Sequence, residues 1–452
     1  FALAIWDRRN RCLHLARDRF GEKPLYYGIF GDTLLFGSEL PALAEHPAWT
    51  HQVDRESLAL YFQFNCVPQP RSIFKNVRQV RPGQFVTITE SNGRIDQTET
   101  AYWDPVAVWR ACRATEFDET PESLVDQYIE AFGDTVASQM CADVPLGAFL
   151  SGGVDSSLVV ALMQRASERP VKTFTIGFAE DEFNEAAYAR EVARELGTEH
   201  TEVILSSDNA RELVPELPAI YGEPFADSSQ LPTLLVSKIT REHVTVALTG
   251  DGGDEFYGGY SRYPESLSQW SHLASRPAAI RAAASRLVRL LPDAAMTALG
   301  RLTGKTVEIA TGRGAAIRVA DRLAYDTGAG FPDYYQGQMS FWHPRSRLVR
   351  GQVERPSDER NLASLFGEAR NEFDWMMFRD SQTYMNDDIL TKVDRAAMHY
   401  ALETRAPFLD HKLVEFAWGL PSRIHFHDGR GKWLSRRALG RFLPPELIER
   451  PK

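Results

Sequence analysis

One short segment, residues 151–157, combines residue types that suit the binding of a phosphate group. It contains two glycines, one aspartate and three serines: Ser151, Gly152, Gly153, Asp155, Ser156 and Ser157. Adjacent glycines allow backbone conformations that a Cβ atom would forbid, and serine hydroxyls can donate to phosphate oxygens. An apolar run of strand length ends at Leu150, and apolar residues return at helical spacing from Val154. Because the first N–H groups of a helix attract anions, the sequence predicts a phosphate-binding loop between a strand and a helix.

The carboxylate of Asp155 indicates what else this loop binds. A carboxylate repels a neighbouring phosphate unless a divalent cation lies between them, and Mg²⁺ is usually held by one or two carboxylates together with phosphate oxygens. A second glycine-rich segment, Thr249–Glu255, follows another predicted strand and contains Asp251 and Asp254. Two such loops favour a nucleotide whose phosphates are held through Mg²⁺. A structural alternative stays open for each segment, namely a helix-capping segment for the first and a simple Gly/Asp turn for the second.

The elements that would position both loops alternate between strand and helix. Predicted strands end at Leu150 and span 171–178, 200–205 and 244–248, whereas predicted helices span 154–167, 184–196, 209–221 and 231–243. Strands separated by helix-length segments imply right-handed crossovers and a doubly wound parallel sheet. Ligands in such sheets bind beyond the carboxyl ends of the strands, so we expect Asp155 and Asp254 on the same rim.

The N-terminal region has a different character. Residues 1–105 are β-rich, with a hairpin signature at 25–36. The interval 106–120, which ends in acidic and turn-prone residues, is predicted to be a linker. Helical periodicity over 122–140 then opens a second domain at 121–452.

The C-terminal region is predicted to be mainly helical from about residue 264. Its basic segment 276–322 is interpreted as the solvated faces of amphipathic helices. Residues 300–306 nearly match a phosphate-binding Walker A loop. We reject that match because one residue is missing between its glycines and no strand precedes it.

Composition excludes several classes of protein. The chain has 452 residues, of which 43% are hydrophobic and 25% charged, so it can bury more than one sizeable core and is not disordered. A formal net charge of −10 argues against a nucleic-acid partner or an anionic membrane surface. No apolar run approaches the roughly 20 residues of a membrane span, so no membrane partner is expected.

The cysteines and the first residue bear on cellular context. The four cysteines lie far apart without a C-x-x-C pair, which is typical of reduced thiols and predicts a cytoplasmic protein. The sequence begins at Phe1 inside a strand-like run and does not begin with Met. We therefore interpret it as a fragment of a longer protein, in which case the absence of a targeting signal is uninformative.

Several motifs in register resemble those of glutamine-hydrolysing asparagine synthetases. Residues 151–157 resemble the PP-loop of ATP pyrophosphatases, and further motifs follow the order of that family: Arg17–Tyr27, Thr249–Glu255, Gly258–Tyr260, Leu390–Arg395 and Arg405–Asp410. The resemblance implies an α/β protein in which 1–105 is the C-terminal, β-rich remnant of a class II, Ntn-type glutaminase domain. It further implies that 121–452 is a PP-loop synthetase domain with a doubly wound parallel sheet and a helical C-terminal part.

The resemblance also implies a reaction and its residues. In that family the side-chain carboxylate of aspartate attacks the α-phosphate of ATP, and ammonia derived from glutamine displaces AMP from the acyl-adenylate. By this resemblance ATP is held by Leu150, Ser151, Gly152, Gly153, Asp155, Ser156, Ser157, Ile176, Thr249 and Gly250. Asp155 and Asp254 would bind Mg²⁺. Lys432 would face the reacting phosphate, with a surface lysine as the alternative. Asp251, where many members have Glu, would act in forming or consuming the acyl-adenylate.

Other polar residues of these motifs have less specific interpretations. Six are expected to form a structural ion-pair network lining the site: Asp388, Lys392, Asp394, Arg395, Arg405 and Asp410. Asp227 and Ser228 either face the nucleotide or acceptor, or cap a helix. The expected partners are small molecules (aspartate, ATP, and glutamine or ammonia), with a homodimer as a candidate assembly.

The sequence departs from the family at its start, and three rival functions stay open. The N-terminal cysteine nucleophile and the glutamine-binding residues of the family would lie upstream of Phe1, and the internal Cys12 and Cys66 cannot replace that cysteine. We therefore expect this chain to use free ammonia but not glutamine. The rivals are amidation of another carboxylate, such as a sugar acid or a peptide, a β-lactam-forming cyclase, and a non-catalytic interaction module.

Overall fold

The computed structural model describes residues 1–91, 93–114, 119–178, 186–290, 330–342, 348–350, 360–427 and 429–449. The chain divides into two compact units. Unit 1 comprises Phe1–Tyr260, Arg345–Glu359 and Met377–Lys452, and unit 2 comprises Ser261–Pro344 and Arg360–Met376. No helix among the described ranges is both long enough and apolar enough to cross a bilayer.

Unit 1 begins with two antiparallel sheets. Their strands are β1 (Ala2–Asp7), β2 (Cys12–Arg17), β3 (Tyr26–Phe30), β4 (Thr33–Gly37), β5 (Val77–Gln79), β6 (Gln84–Ser91) and β7 (Arg94–Ala101). One sheet has the order β1-β2-β6-β7 and the other β4-β3-β5. Alternate residues of β2 and β6 face a core in which Leu15 and Val86 pack with Tyr27 of β3. The predicted β-rich character and the hairpin at 25–36 are confirmed.

Two helices lie between β4 and β5 and two follow β7, including one inside the predicted linker. The helices of this part are Leu40–Ala44, Arg55–Phe64, Pro105–Ala114 and Pro121–Gln139. Trp109 of the third helix is fully buried and its ring stacks on Phe378 at 4.4 Å between centroids. The interval 106–120 therefore includes an ordered helix, in addition to residues 115–118, which lie outside the described ranges.

A five-stranded parallel sheet forms the centre of unit 1. It contains β8 (Leu146–Phe149), β9 (Lys172–Phe178), β10 (Glu199–Leu205), β11 (Val246–Leu248) and β12 (Glu403–Arg405) in the order β10-β9-β8-β11-β12. All four neighbouring pairs are parallel, which confirms the predicted α/β fold. From β8 the chain adds strands β9 and β10 toward one edge of the sheet, and from β11 it adds β12 toward the other edge. The switch point therefore lies between β8 and β11, where doubly wound sheets bind ligands.

The remaining elements of unit 1 are mostly helices, as predicted. They are Val154–Ala166, Ala186–Leu196, Ser207–Leu213, Leu217–Tyr221, Gln230–Arg241, Gly253–Tyr257, Leu390–His399, His411–Gly419, Ser422–His425, Trp433–Leu439 and Pro445–Ile448, with 3₁₀ turns at Val214–Glu216 and Pro407–Leu409 and a π-helical turn at Met385–Ile389. Two short strands, β13 (Phe426–His427) and β14 (Arg430–Gly431), form an antiparallel pair. The helix Glu372–Gln382 includes Phe378.

Unit 2 is helical in its described part. It contains the helices Arg262–Ala274, Ala278–Leu290 and Phe331–Gln338 and the 3₁₀ helix Leu362–Glu368. Aromatic rings form its core, with Phe331 against Phe366 at 5.8 Å and Tyr335 against Trp375 at 6.0 Å. Most of the basic segment 276–322 and the rejected Walker-like match at 300–306 lie outside the described residues.

Candidate active site

Strand pairing places the two glycine-rich loops side by side. In the register of β8 and β11, Leu146 pairs with Val246 and Ala148 with Leu248. Both strands run in the same direction, so the segments that follow them leave the same edge of the sheet. The switch point between β8 and β11 thus carries residues 151–157 and 249–255, as the sequence predicts.

The first loop has the geometry of an open anion-binding turn. Gly152 has a φ of 70°, and a Cβ atom there would lie 2.8 Å from the backbone nitrogen of Ala189, so glycine is required. The N-cap of the helix Val154–Ala166 is Gly153, which has no side chain to accept from the first N–H groups. The N-cap residue itself makes no side-chain capping hydrogen bond, although the Gly153 N–H donates to the hydroxyl of Ser151 at 3.3 Å. The hydroxyls of Ser151 and Ser156 lie 3.0 Å apart at the mouth of this turn.

Lys432 connects the two loops through its ammonium group. This residue precedes the helix Trp433–Leu439 and is only 5% exposed. Its Nζ atom forms ion pairs with the carboxylates of both Asp155 and Asp254. Burial by itself lowers the pKa of the Lys432 ammonium, but both carboxylates raise it, and its pKa lies above the ordinary value. The surface-lysine alternative is wrong, because Lys432 is buried between the two predicted metal ligands.

The second loop packs directly on the first. A Cβ atom at Gly253 would lie 2.7 Å from each carboxylate oxygen of Asp155, closer than any side chain could approach. Thr249 is buried, and its N–H donates to the carbonyl of Arg405 at 2.9 Å, which ties the loop to the neighbouring strand β12. The segment is therefore a closely packed wall of the site and more than a solvent-exposed turn.

The remaining predicted nucleotide residues line or support the same edge. Leu150 is buried and its N–H donates to the carbonyl of Phe174 at 2.9 Å. Ile176 lies on β9, next to β8, and is partly buried against the cluster that contains Leu234. Ser157 is fully buried behind the first loop, which leaves Ser151 and Ser156 as the hydroxyls nearer the surface.

A second polar cluster lies beside Asp251. The Nζ atom of Lys392 lies 2.9 Å from Asp227 and donates to the hydroxyl of Ser229 at 2.7 Å. Burial raises the pKa of Asp251, an effect that the Lys392 charge opposes, so the two side chains are within electrostatic reach of each other. The cluster thus places one cation close to the proposed catalytic carboxylate.

Two carboxyl groups of this cluster differ strongly in acidity. Burial favours the neutral form of Asp227, but the Lys392 charge and hydrogen bonds from Asp388 and Ser229 outweigh it and lower the pKa of Asp227 to about 2. Burial together with the Asp227 charge raises the pKa of Asp388 to about 8. At neutral pH Asp388 is therefore a proton donor and Asp227 an anion. Asp227 accepts from the Ser229 N–H at 2.6 Å, whereas Ser228 is exposed.

The six residues predicted as one ion-pair network have separate roles. Asp394 pairs with Lys23 at 2.9 Å, and Arg395 donates to the carbonyl of Ser38 at 2.9 Å, so both contact the N-terminal sheets. Arg405 donates to backbone carbonyls at 139 and 141, and Asp410 is the N-cap of the helix His411–Gly419. Only Asp388 and Lys392 belong to the cluster beside Asp251. The prediction of a single network is wrong because the six residues bond to different partners on separate elements.

A small pocket, with room for little more than one water molecule, lies between the N-terminal region and the second loop. Glu22 and Lys23 line it from one side, and Thr249, Asp251 and Asp394 from the other. Sequence reasoning missed Glu22 and Lys23 as part of this region. The signal was present in the motif Arg17–Tyr27, but its distance from Asp251 along the chain concealed the contact.

The donor set at Lys432 fits a divalent cation held jointly with phosphate. Asp155 and Asp254 already converge on one positive charge. Throughout the described ranges, no group of three or more His, Cys, Asp or Glu side chains is arranged to hold a metal ion. A cation between these two carboxylates would need phosphate oxygens as further ligands, which is the usual arrangement for Mg²⁺.

Comparisons with known proteins agree with both halves of the chain. A family model described as asparagine synthase matches residues 127–452, and one described as glutamine amidotransferase domain matches residues 1–103. Asparagine synthetase (glutamine-hydrolyzing) 1 from Bacillus subtilis (strain 168) is 30% identical over 458 residues, covering 100% of this chain and 66% of that protein. Asparagine synthetase (glutamine-hydrolyzing) 3 from the same organism is 28% identical, again over 100% and 66%.

A more distant relative has a different name. Amidase chry2 from Gibberella zeae is 27% identical over 488 residues, covering 100% of this chain and 68% of that protein. The chain thus spans about two thirds of the length of each of these three relatives.

Proposed function

The chain belongs to the asparagine synthase family, and from this premise we propose that it is an ATP-dependent ligase that amidates the side-chain carboxylate of aspartate. The products would be asparagine, AMP and pyrophosphate. The observation that carries the proposal is the convergence of Lys432, Asp155 and Asp254 at the switch point of a parallel sheet. Such a point binds nucleotides in doubly wound folds, and these residue types suit their phosphates.

The first proposed step is adenylation of the acceptor. A carboxylate oxygen of aspartate attacks the α-phosphorus of ATP, the bond from that phosphorus to the bridging oxygen breaks, and pyrophosphate leaves. The N–H groups at the start of the helix Val154–Ala166 and the hydroxyls of Ser151 and Ser156 bind the pyrophosphate. Magnesium, held by Asp155 and Asp254, would offset phosphate charge when bound. Lys432 stabilises charge that develops on the reacting phosphate.

The second proposed step is transfer of the acyl group to ammonia. The nitrogen lone pair attacks the acyl carbon, AMP leaves with the electrons of the carbon–oxygen bond, and the nitrogen loses a proton. We assign this proton to Asp251, and the assignment is supported by burial, which raises the pKa of Asp251 and makes its carboxylate a stronger base than an exposed aspartate. Leu150, Ile176, Thr249 and Gly250 hold the nucleotide during both steps.

The polar cluster beside Asp251 supports an amino-acid acceptor. Aspartate presents an ammonium and a carboxylate in addition to the reacting group. Lys392 can pair with that carboxylate, and the anionic Asp227 can pair with the ammonium, since the two lie 2.9 Å apart within reach of Asp251. The proton on Asp388 supplies one further donor. With an acceptor that lacks these two charges, Lys392 and Asp227 would remain paired only with each other.

The match of residues 1–103 supports glutamine as the source of ammonia in the full-length protein. Glu22 and Lys23 of this region also line the small pocket beside Asp251. We assign the amide donor on these two observations.

The experiment that tests the proposal measures pyrophosphate released from ATP while the acid is varied, with ammonium present. Aspartate, glutamate, a sugar acid and a short acidic peptide are compared at equal concentration. Release that depends on aspartate, with stoichiometric AMP and asparagine, is the expected result. Release with a different acid alone would overturn the aspartate assignment. No release with any acid would favour a non-catalytic role.

A further inference from the structure

The ammonium group of Lys432 lies where the two proposed metal ligands converge. We infer that, before nucleotide binds, Lys432 occupies the position of the divalent cation, so that the metal enters only together with phosphate. The inference rests on the proposed role of Asp155 and Asp254 as metal ligands. It adds to the proposed function an order of binding, in which metal and phosphate are taken up together and free metal is excluded.

The contacts of Lys432 show how completely it fills this position. Its Nζ atom pairs with Asp155 of the first loop and Asp254 of the second, and the exposed fractions of these three side chains are 6%, 12% and 24%. Gly253 and Gly259 pack so closely on this group that a Cβ atom at either would overlap it. A second cation therefore has no space between the carboxylates while Lys432 remains.

The backbone of Lys432 is fixed, but its side chain can move. The residue has a φ of 59°, in the left-handed region that disfavours residues with a Cβ atom. Its N–H donates to the carbonyl of Tyr257 at 3.1 Å, and its carbonyl accepts from the N–H of Arg436 at 2.8 Å. The four rotatable bonds of the side chain allow the ammonium to leave the carboxylates while the backbone keeps its position.

Charge explains why phosphate is needed for the exchange. Two carboxylates and one ammonium leave a single negative charge, which binds a divalent ion far less strongly than two free carboxylates. If Lys432 moved away without a new partner, a buried ammonium would be left unpaired, which is costly. A phosphate group supplies that partner and also completes the ligands of the metal. Replacement of the Lys432 ammonium by the metal ion thus becomes favourable only when metal and phosphate bind together.

The test measures Mn²⁺ binding in the absence of nucleotide and acceptor. Free Mn²⁺ is followed by electron paramagnetic resonance during titration of the wild-type chain, Lys432→Gln and the control Lys238→Gln, whose lysine is exposed on the helix Gln230–Arg241. We expect Lys432→Gln to bind one Mn²⁺ at least about tenfold more tightly than the other two. Adding Asp155→Asn to Lys432→Gln should abolish this gain.

A second measurement tests whether a variant fails to bind Mn²⁺ because it is unfolded. The melting temperature of each chain is recorded over the same Mn²⁺ range, and Lys432→Gln alone should be stabilised by the metal, because its two carboxylates lack the ammonium. Equal Mn²⁺ affinity in all chains, or a Lys432→Gln chain that stays unfolded at every Mn²⁺ concentration, would overturn the inference. With inorganic pyrophosphate added, the wild-type chain should gain Mn²⁺ binding relative to Asp155→Asn at the same pyrophosphate concentration, a comparison that removes the Mn²⁺ chelated by free pyrophosphate. Absence of that gain would contradict the proposed metal role itself, whatever Lys432→Gln does.

Discussion

Replacement of Lys432 by alanine is the most direct test of the proposed chemistry. The ammonium forms ion pairs with both Asp155 and Asp254, and Lys432 is 5% exposed. A buried donor aimed at developing transition-state charge is typically worth ~3 kcal/mol. At 1.36 kcal/mol per factor of ten, the expected loss in kcat is roughly 10²-fold.

The structure also predicts which kinetic parameter changes. In the nucleotide-free chain the ammonium already has two carboxylate partners, so its pairing with a ground-state phosphate replaces existing interactions and adds little binding. The gain is concentrated in the transition state, where phosphate charge increases. We therefore expect the KM for ATP to change by no more than about threefold.

The assay is steady-state pyrophosphate release with ammonium and saturating acceptor. Lys238→Ala removes an exposed lysine and serves as the control, with turnover expected within about twofold of wild type. Lys432→Arg retains the charge, but the closely packed position has no room for a planar guanidinium, so little recovery is expected. A Lys432→Ala defect confined to the KM for ATP would refute the transition-state role.

Three further substitutions test other parts of the site. Asp155→Asn should abolish pyrophosphate release while circular dichroism remains that of the wild type, and near-normal turnover would contradict its metal role. Lys392→Met should lower the free energy of unfolding by about 3 kcal/mol, because it removes the ion-pair partner of the buried Asp227. In urea titrations, Lys392→Met combined with Asp227→Asn should recover most of that loss. Equal losses in the single and double variants would exclude the ion pair as the cause. Gly253→Ala should reduce turnover at least about tenfold, because the added Cβ atom displaces the Asp155 carboxylate. The control Gly367→Ala should be neutral, since a Cβ atom there meets no atom within 4 Å. Equal activities of the two variants would contradict the close packing of the two loops.

Local periodicity was sufficient for most elements of the sheet. The predicted strand ending at Leu150 is observed at Leu146–Phe149, and the predicted helix 154–167 at Val154–Ala166. Both have unbroken apolar patterns next to glycine, so local interactions alone indicate their type and ends. The two glycine-rich loops and their carboxylates followed from the same reasoning.

Elements without such a pattern were missed. The strand Arg94–Ala101 lies at a sheet edge and is almost entirely exposed, so it has no alternation of apolar residues to detect. The strand Glu403–Arg405 has only three residues and exists because β11 offers it an edge. The helix Pro105–Ala114 was missed and its residues were predicted to be a linker. Its one fully buried residue, Trp109, packs on Phe378, and a contact between residues so far apart in sequence leaves no local pattern.

The sequence by itself determined the residue types of the site, whereas the tertiary structure decided which of them meet. Lys432 and Asp155 are 277 residues apart, and no spacing rule predicts their ion pair. Likewise the acidity of Asp227 and Asp388 depends on burial and on Lys392, whose effects arise only when separate helices pack together. Periodicity reports interactions between residues close in sequence. The electrostatics of a buried site depend on distances through space, and only the folded chain brings these charges together.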